Sequence, residues 1–353
     1  MFVYLLQIIT GILFFLALHF AQSELLAQND NFNDLDESGA IVLKKSIDTI
    51  SRFVRVECDM RVSTFVGGVE FPANGKYEEQ AVAASGTYNV DNNDNNNTDN
   101  SPKNQLSEFQ RTMYRQELNF ITDKLPVQAE PNRVILVCYP NKNDSKNGNI
   151  WQFRSINGNK TLQQINIDAV EAAIKKSFGT GADGNVQEQI VVGDASMFKQ
   201  VGMLWNVGGI AGVLGQISRF YEFVEPPKVD MIENTKTVKL VGSLRKTYFD
   251  ILLKDHGGLE SNDRYPSNLP CDIEVYIGAD DHFPRKIRYL NRKTELAKPT
   301  NLLVEINYTN IKINGNPIPE HRFSTFQSEV PTGVSKIDSS TEQYIKSLGL
   351  QRP

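Results

Sequence analysis

The sequence has few of the side chains that build disulfide frameworks and metal centres. Its 353 residues include three cysteines and four histidines. The cysteines, Cys58, Cys138 and Cys271, are odd in number, and none of them has a partner at the spacing of zinc ligands. Because each lies in or beside an apolar, strand-like run, they are predicted to be buried thiols, and a single disulfide is the alternative in an oxidising compartment. No metal ion and no other cofactor is predicted.

The motifs of several enzyme classes are also missing. No Ser lies in a Gly-x-Ser-x-Gly elbow, and Asp280 and Asp281 lie between two predicted strands, where acids are common in turns. The segment VGGIAG (207–212) lacks the G-x-G-x-x-G spacing of a dinucleotide site, and its flanking strands are predicted to be antiparallel. The protein is therefore predicted not to be an enzyme and to have no catalytic residues.

A basic excess is absent as well. Asp and Glu number 42 against 37 Lys and Arg, which gives a formal net charge of -5. The basic residues are spread along the chain, whereas nucleic-acid binding needs clustered positive charge. Nucleic acid is therefore not a predicted partner.

The N-terminus is the clearest compositional signal. Residues 2–20 contain no Asp, Glu, Lys or Arg, and Ala21 and Ser23 offer the small side chains of a signal-peptidase site. Residues 1–23 are therefore predicted to be an export signal. An uncleaved anchor is the alternative, because 19 residues can just span a bilayer and no Lys or Arg precedes the run. Both interpretations place the bulk of the protein outside the cytoplasm, in the periplasm if the signal is cleaved.

The following chain is predicted to form one domain, from 40 to 331, after a polar leader at 24–39. Apolar and polar residues alternate over ten residues from Val54 to Ser63, which predicts a long strand with one dry face. The Asn-rich stretch 87–105 is predicted to be a disordered insert, and residues 332–353 a loosely packed tail. Further strands are predicted at 69–79, 112–120, 133–139, 150–156, 237–242, 271–277, 286–290 and 302–313.

Helical patterns separate the two groups of strands, in the region 166–224. One helix is predicted from Ile167 to Phe178, capped by Asn166. The second lies within 203–224, where a single face collects Ile210, Val213, Leu214, Ile217 and Tyr221. This second helix contains several glycines, each costing about 1 kcal/mol relative to Ala, which suggests that something approaches its backbone closely. Hairpins and one-sided strands predict a single antiparallel sheet whose dry concave face is covered by these helices.

The order of these segments, with their sequences, resembles a known family. The resemblance is to the LolA/LolB-like proteins, the outer-membrane lipoprotein carrier fold, and in particular to the LolA-like proteins of planctomycete-type bacteria. It covers roughly 40–331 and is carried by AIVLKKSIDTISRFVRVECDMRVSTFVGGVEFPANGKY (40–77), IWQFRSINGNKTLQQINIDAVEAAIKKSFG (150–179), VGGIAGVLGQISRFYEFVEPPK (207–228), LPCDIEVYIGADDHFPRKIRYLNRK (269–293) and LLVEINYTNIKINGNPIPEHRFSTF (302–326). The resemblance implies an α+β fold in which a strongly curved antiparallel sheet, an incomplete β-barrel, wraps around a few helices and leaves an apolar cavity. It also implies transport or binding of lipids or of lipoprotein acyl chains.

Two functions are compatible with these patterns. The first is a non-catalytic, extracytoplasmic carrier that binds a lipid or a lipidated protein in a hydrophobic cavity. Its predicted lining residues are Val54, Val56, Met60, Val62, Trp151, Phe153, Val213, Leu214, Ile217, Val304 and Ile306. The second is an envelope interaction or sensor module, anchored in the membrane through residues 1–20, with a filled barrel and no lipid ligand. The ligand's identity and the oligomeric state are left open.

Overall fold

The structure is a computed structural model that describes residues 39–66, 68–81, 112–121, 132–139, 148–167, 169, 209–246, 270–291, 302–328, 330–334, 337–342 and 345. The predicted signal or anchor (1–23), the leader up to residue 38 and the Asn-rich insert (87–105) lie outside the described residues, and so does the predicted helix 167–178 apart from residues 167 and 169. Among the residues described, no helix is long and apolar enough to cross a membrane.

One thirteen-stranded sheet dominates the described part of the chain. Its strands are β1 (Arg55–Val66), β2 (Val69–Ala81), β3 (Thr112–Phe120), β4 (Arg133–Tyr139), β5 (Asn149–Ile156), β6 (Asn159–Asn166), β7 (Tyr221–Glu222), β8 (Lys228–Ile232), β9 (Thr235–Leu244), β10 (Asp272–Gly278), β11 (Pro284–Leu290), β12 (Leu302–Ile313) and β13 (Ile337–Ser339). The helices are α1 (Gly39–Ile50), α2 (Gly209–Phe220) and α3 (His321–Ser328).

The sheet is antiparallel and open. Its order is β13-β6-β5-β4-β3-β2-β1-β12-β11-β10-β9-β7, and β8 pairs with the first half of β9. The pairing of β13 with β6 is parallel, and the other pairings are antiparallel. Over the described residues the two ends of this order, β13 and β7, do not pair with each other, so the barrel is incomplete.

Short hairpins connect consecutive strands where the sequence tolerates positive φ. Gly68 (φ 83°) lies in the turn between β1 and β2, and Asn157 (φ 49°) and Gly158 (φ 79°) form the turn between β5 and β6. Glu233 and Asn234 join β8 to β9 with φ values of 46° and 68°. Two successive left-handed residues are what a two-residue turn requires to match the twist of its strands.

The inner face of the sheet holds the larger core. Every second residue of β1, from Val56 to Val62, is buried in one cluster with residues of β5 and β6 and residues of β9 and β10. Because strands far apart in the sheet order share this cluster, the sheet must curve around it. Helices α1 and α2 pack against each other, and residues of both belong to the same cluster.

A second core covers part of the outer face. Helix α3 places Phe323 and Phe326 against β4 and β5, where Trp151 and Phe153 are buried. The ring centroids of Phe153 and Phe326 are 5.9 Å apart. The sheet therefore has two dry faces in this region, whereas the sequence pattern predicted one.

The predicted fold class is confirmed, and the structure contains strands and a helix that the sequence did not predict. The α+β architecture, with an open, curved antiparallel sheet around a few helices, is as predicted. Four strands and one helix were not predicted from the sequence: β6, β7, β8, β13 and α3. In the segment predicted as a loose tail, β13 pairs with β6 and Ile345 is buried in the inner core. β13 has only three residues, which is too short for an alternation of apolar and polar residues to be recognised in the sequence.

Candidate functional site

The candidate site is the inner face of the sheet where α2 lies on it. Ile210, Val213, Leu214 and Ile217 follow the spacing of one helical face, and all four are buried in the inner core. The helix ends at Phe220, and Tyr221 opens β7 instead of continuing the helix as its spacing predicted. Tyr221 is nevertheless fully buried, and its hydroxyl donates to the carbonyl of Pro270 at 2.9 Å.

The N-terminus of α2 meets a carboxylate that projects from the sheet. Glu79 lies on β2, opposite Val56 of β1 and Tyr114 of β3, and only 7% of its surface is exposed. The hydroxyl of Tyr77 donates to Glu79 Oε2 at 2.6 Å, and the backbone N–H of Ile210 donates to the same oxygen at 3.3 Å. Glu79 therefore takes the position that an anion occupies at a helix N-terminus.

Gly209 makes this contact sterically feasible. Its φ is 63°, which L side chains rarely adopt, and a Cβ atom built there would lie 2.4 to 2.5 Å from the carboxyl atoms of Glu79. At Gly215, by contrast, a Cβ atom would meet nothing within 4 Å. The close approach predicted from the glycines thus occurs at Gly209, and the approaching group is the chain's own Glu79.

Burial sets the protonation of this carboxyl. Desolvation raises the pKa of Glu79 from 4.5 to about 7, and the hydrogen bonds from Tyr77 and from the Ile210 N–H oppose that rise. The net effect is a buried acid that changes charge near neutral pH, at the point where α2 meets the sheet.

Eight of the predicted lining residues come together in the inner core. They belong to β1, α2 and β12, and none is more than 6% exposed: Val56, Met60, Val62, Val213, Leu214, Ile217, Val304 and Ile306. The residues of β1 and those of β12 are direct neighbours in the sheet, because Val62 pairs with Ile306 and Thr64 pairs with Val304.

The structure does not bring the other three lining residues to this place. Trp151 and Phe153 are buried in the outer core under α3, because alternate residues of β5 face opposite sides of the sheet. On β5 it is Ile150 that belongs to the inner core. Val54 precedes β1 and is 47% exposed. These three residues are therefore not part of an inner lining. Strand register is the reason for Trp151 and Phe153, and exposure ahead of β1 is the reason for Val54.

Two buried polar side chains beside the inner core make no hydrogen bond. Both amide atoms of Gln216, on α2, and the hydroxyl of Tyr289, on β11, are buried with no hydrogen-bond partner. Desolvation raises the pKa of Tyr289 well above 10.0. Burying a polar group without a partner is unfavourable, so the inner core contains unmet hydrogen-bonding capacity.

The cysteines and acids take structural positions. Cys58, Cys138 and Cys271 are buried free thiols, as predicted, and burial raises the pKa of Cys58. Asp281 accepts from the backbone N–H of Phe283 at 3.0 Å in the turn between β10 and β11. Over the described residues, no three His, Cys, Asp or Glu side chains are gathered as metal ligands.

Glu79 was missed by sequence reasoning. In the sequence it is one of three consecutive polar residues, Glu78, Glu79 and Gln80, at the end of an alternating strand. The available signal was register: Tyr77 and Glu79 continue the parity of Ala73, so a strand with a dry face at Ala73 must turn Glu79 inward.

No protein-family model matches the sequence, and no curated protein matches it significantly. The chain is similar to Mycobacterium tuberculosis lipoprotein LppX at 11% identity, with a TM-score of 0.34, over 79% of this chain and 96% of that one. It is similar to a DUF1329 family protein from Desulfovibrio piger at 8% identity, with a TM-score of 0.31, over 81% and 95%. A third similar structure is a LolA superfamily protein from Nitrosomonas europaea, at 10% identity, with a TM-score of 0.23, over 81% of this chain and 97% of that one.

Proposed function

We propose that the protein is a non-catalytic, extracytoplasmic binder or carrier of a lipid or of lipoprotein acyl chains, held between α2 and the inner face of the sheet. The observation that supports this proposal is the convergence of eight apolar residues from β1, β12 and α2 on one side of a curved, open sheet. An acyl chain gains about 0.8 kcal/mol for each CH₂ group that leaves water, so such a surface suffices without a catalytic group.

The N-terminus of α2 has a part in this function. The helix is attached to β2 through the buried Glu79, Tyr77 and the Ile210 N–H. Because desolvation outweighs these two hydrogen bonds, an ionised Glu79 lowers the stability of the packed arrangement in which α2 buries it. Movement of α2 away from the inner face would uncover the apolar residues that bind the ligand.

A second candidate is the anchored interaction or sensor module with a filled barrel. Close packing supports it: Leu214, Ile217 and Val304 are 0% exposed, so helices already occupy this part of the inner face. The two candidates differ in the fate of residues 1–23. Intact-mass measurement of protein from the membrane and soluble fractions separates them, since a retained N-terminus in the membrane favours the module and a soluble cleaved form favours the carrier.

The lipid test combines native mass spectrometry of protein purified without delipidation with titration of a fluorescent fatty-acid probe. We expect co-purified lipid and saturable probe binding. Val213→Phe should weaken probe binding by about tenfold or more, because Val213 is buried in the inner core, where a larger ring takes up space that the proposed acyl chain would need.

Trp151→Phe is the matched control, since Trp151 lies in the outer core under α3. It should leave probe binding unchanged, and circular dichroism should show that both variants fold. Absence of co-purified lipid together with absence of probe binding to the unmodified protein would contradict the carrier proposal.

A further inference from the structure

Gln216 is a buried glutamine whose side chain makes no hydrogen bond to the described part of the chain. It lies on α2, and only 4% of its surface is exposed. Its amide nitrogen and its amide oxygen both lack a partner. Val213, Gln216 and Phe220 follow one another at spacings of three and four residues, so they form one stripe along the helix. Because Val213 and Phe220 are buried in the inner core, Gln216 brings an amide group to the same side of α2.

Tyr289 brings a second unpaired group to this part of the core. It lies on β11 between Ile273 of β10 and Val304 of β12, and it is 1% exposed. Among the described residues its hydroxyl has no hydrogen-bond partner. The ring centroids of Tyr289 and Tyr221 are 6.4 Å apart, and Tyr221 directly follows α2. Tyr289 therefore contacts the chain just beyond the C-terminal end of α2, the half of the helix that carries Gln216.

The backbone groups at this end of α2 already have partners. The backbone N–H of Arg245 donates to the carbonyl of Phe220 at 2.9 Å. The guanidinium of Arg245 donates to the carbonyl of Ser218 at 3.4 Å. These contacts complete the end of the helix without using the side chains of Gln216 or Tyr289.

A second buried glutamine shows the usual arrangement. Gln152 on β5 is 3% exposed, and its side-chain oxygen accepts from the guanidinium of Arg154 at 2.7 and 3.0 Å. A buried amide without such a partner loses its hydrogen bonds to water and gains none in return, which is unfavourable. Gln216 is in this unfavourable situation, and a bound ligand that supplies the missing partner would relieve it.

Hydrogen-bonding capacity identifies the chemical class of such a ligand. A glutamine amide donates through its nitrogen and accepts through its oxygen, and a tyrosine hydroxyl can do either. A carboxylate or an ester only accepts, so it would leave the oxygen of Gln216 unpaired. An amide or a hydroxyl group offers a donor and an acceptor together, and therefore matches both side chains.

We propose that Gln216 and Tyr289 bind the polar group of an acyl ligand that carries an amide or a hydroxyl. This inference rests on the proposed function, because the acyl chain is the one held between α2 and the inner face of the sheet. The polar group lies at the C-terminal half of α2, and the acyl chain contacts the apolar members of the same stripe, Val213 and Phe220. The two polar residues thus select among lipids, which apolar contacts alone do not.

Competition against the fluorescent fatty-acid probe tests this selectivity. Hexadecanamide and methyl hexadecanoate have the same acyl chain, and only the amide can donate a hydrogen bond. Hexadecanamide should displace the probe from the unmodified protein at a concentration about fivefold lower, or less, than the ester requires. Gln216→Met keeps the length of the side chain and should abolish this difference, and Tyr289→Phe should reduce it by about twofold or more. Trp151→Phe, in the outer core, should retain it.

Urea unfolding of delipidated protein separates a ligand-binding role from a structural role. Because Gln216 has no partner to lose and Met has a similar helix propensity, Gln216→Met should leave the urea midpoint unchanged or raise it. Gln152→Met makes the same change where the amide is paired with Arg154, and it should lower the midpoint. An equally large fall for Gln216→Met would mean that the amide makes a structural hydrogen bond, such as one to a buried water, and would overturn the proposal.

The binding results separate this proposal from the carrier function. Probe binding with equal displacement by the amide and the ester would overturn the selectivity and leave the carrier function standing. Full retention of the preference in Gln216→Met would also overturn it, because another group would then be its source. Absence of probe binding to the unmodified protein would contradict the carrier function and the selectivity together.

Discussion

Glu79 is the residue whose chemistry depends most on its position. It is an acid on an inward-facing position of β2, and burial makes its charge unfavourable. The hydroxyl of Tyr77 and the first turn of α2 stabilise the charged form only in part. Although the positive end of a helix dipole favours an anion, the raised pKa of Glu79 shows that desolvation is the larger effect here.

This balance predicts a pH-dependent stability. The pKa of Glu79 is about 7 in the folded state and 4.5 in an unfolded chain, so the folded state keeps the proton to a higher pH. Between these values the folded state binds more protons, so its free energy of unfolding falls as pH rises, by about 3 kcal/mol in all. Glu79→Gln keeps an acceptor for Tyr77 and for the Ile210 N–H without the charge. We expect it to be more stable than the unmodified protein at pH 8, with a smaller loss between pH 5 and 8 in urea unfolding.

Glu57→Gln serves as the control, because Glu57 is a carboxylate on the opposite side of the neighbouring strand β1. Its loss of stability between pH 5 and 8 should match that of the unmodified protein. If Glu79→Gln retains the full loss as well, the charge of Glu79 does not set the stability of this domain near neutral pH.

At the scale of the element, two of the three glycines of α2, Gly209 and Gly215, have different roles. Gly209 combines a φ of 63° with direct contact to the Glu79 carboxyl, whereas the Cβ position of Gly215 is open. Gly209→Ala should therefore lower the free energy of unfolding by about 2 kcal/mol, because it forces a strained backbone and displaces Glu79. Gly215→Ala should raise it by about 0.5 to 1 kcal/mol through helix propensity.

Chemical unfolding of the two variants side by side measures the difference. The pair is matched, since both replace glycine with alanine in one helix. Equal effects of the two substitutions would mean that the contact between Gly209 and Glu79 does not hold the helix in place.

Elements were predictable where burial left a regular pattern. β12 spans Leu302–Ile313, the range that its alternation predicts, and β4 likewise spans Arg133–Tyr139. β6 was missed because its buried apolar residues, Leu162 and Ile165, are separated by two glutamines rather than one polar residue. The two apolar residues in fact belong to opposite faces, a pattern that an amphipathic strand does not show.

At the scale of the whole molecule, one sheet joins two cores. The inner core lies under α1 and α2, and the outer core lies under α3, so β4 and β5 are buried on both sides. Residues that follow the predicted domain also contribute, because β13 extends the sheet beside β6. Loss of either core should therefore destabilise the same folded unit.

Phe323→Ala tests this coupling. Phe323 is 0% exposed in the outer core, so its truncation should lower the free energy of unfolding by about 3 to 5 kcal/mol. Tryptophan fluorescence and far-ultraviolet circular dichroism should report one common transition, shifted to lower urea concentration. Thr325→Ala, on the exposed side of the same helix, should change the stability by less than about 0.5 kcal/mol. Two separate transitions would show instead that the cores unfold independently.

The sequence by itself determined the regular alternation of buried residues along strands such as β1 and β12, and hence the α+β class with a curved antiparallel sheet. Alternation and helical spacing are local consequences of burying one face, so they can be read without knowing what lies opposite. Tertiary structure decided which face each strand turns inward, and this separated Trp151 and Phe153 from Val62 and Ile306. It also decided that the anion at the glycine-containing helix is Glu79. A contact between β2 and α2, 131 residues apart, depends on sheet register and helix docking, and neither leaves a local signature.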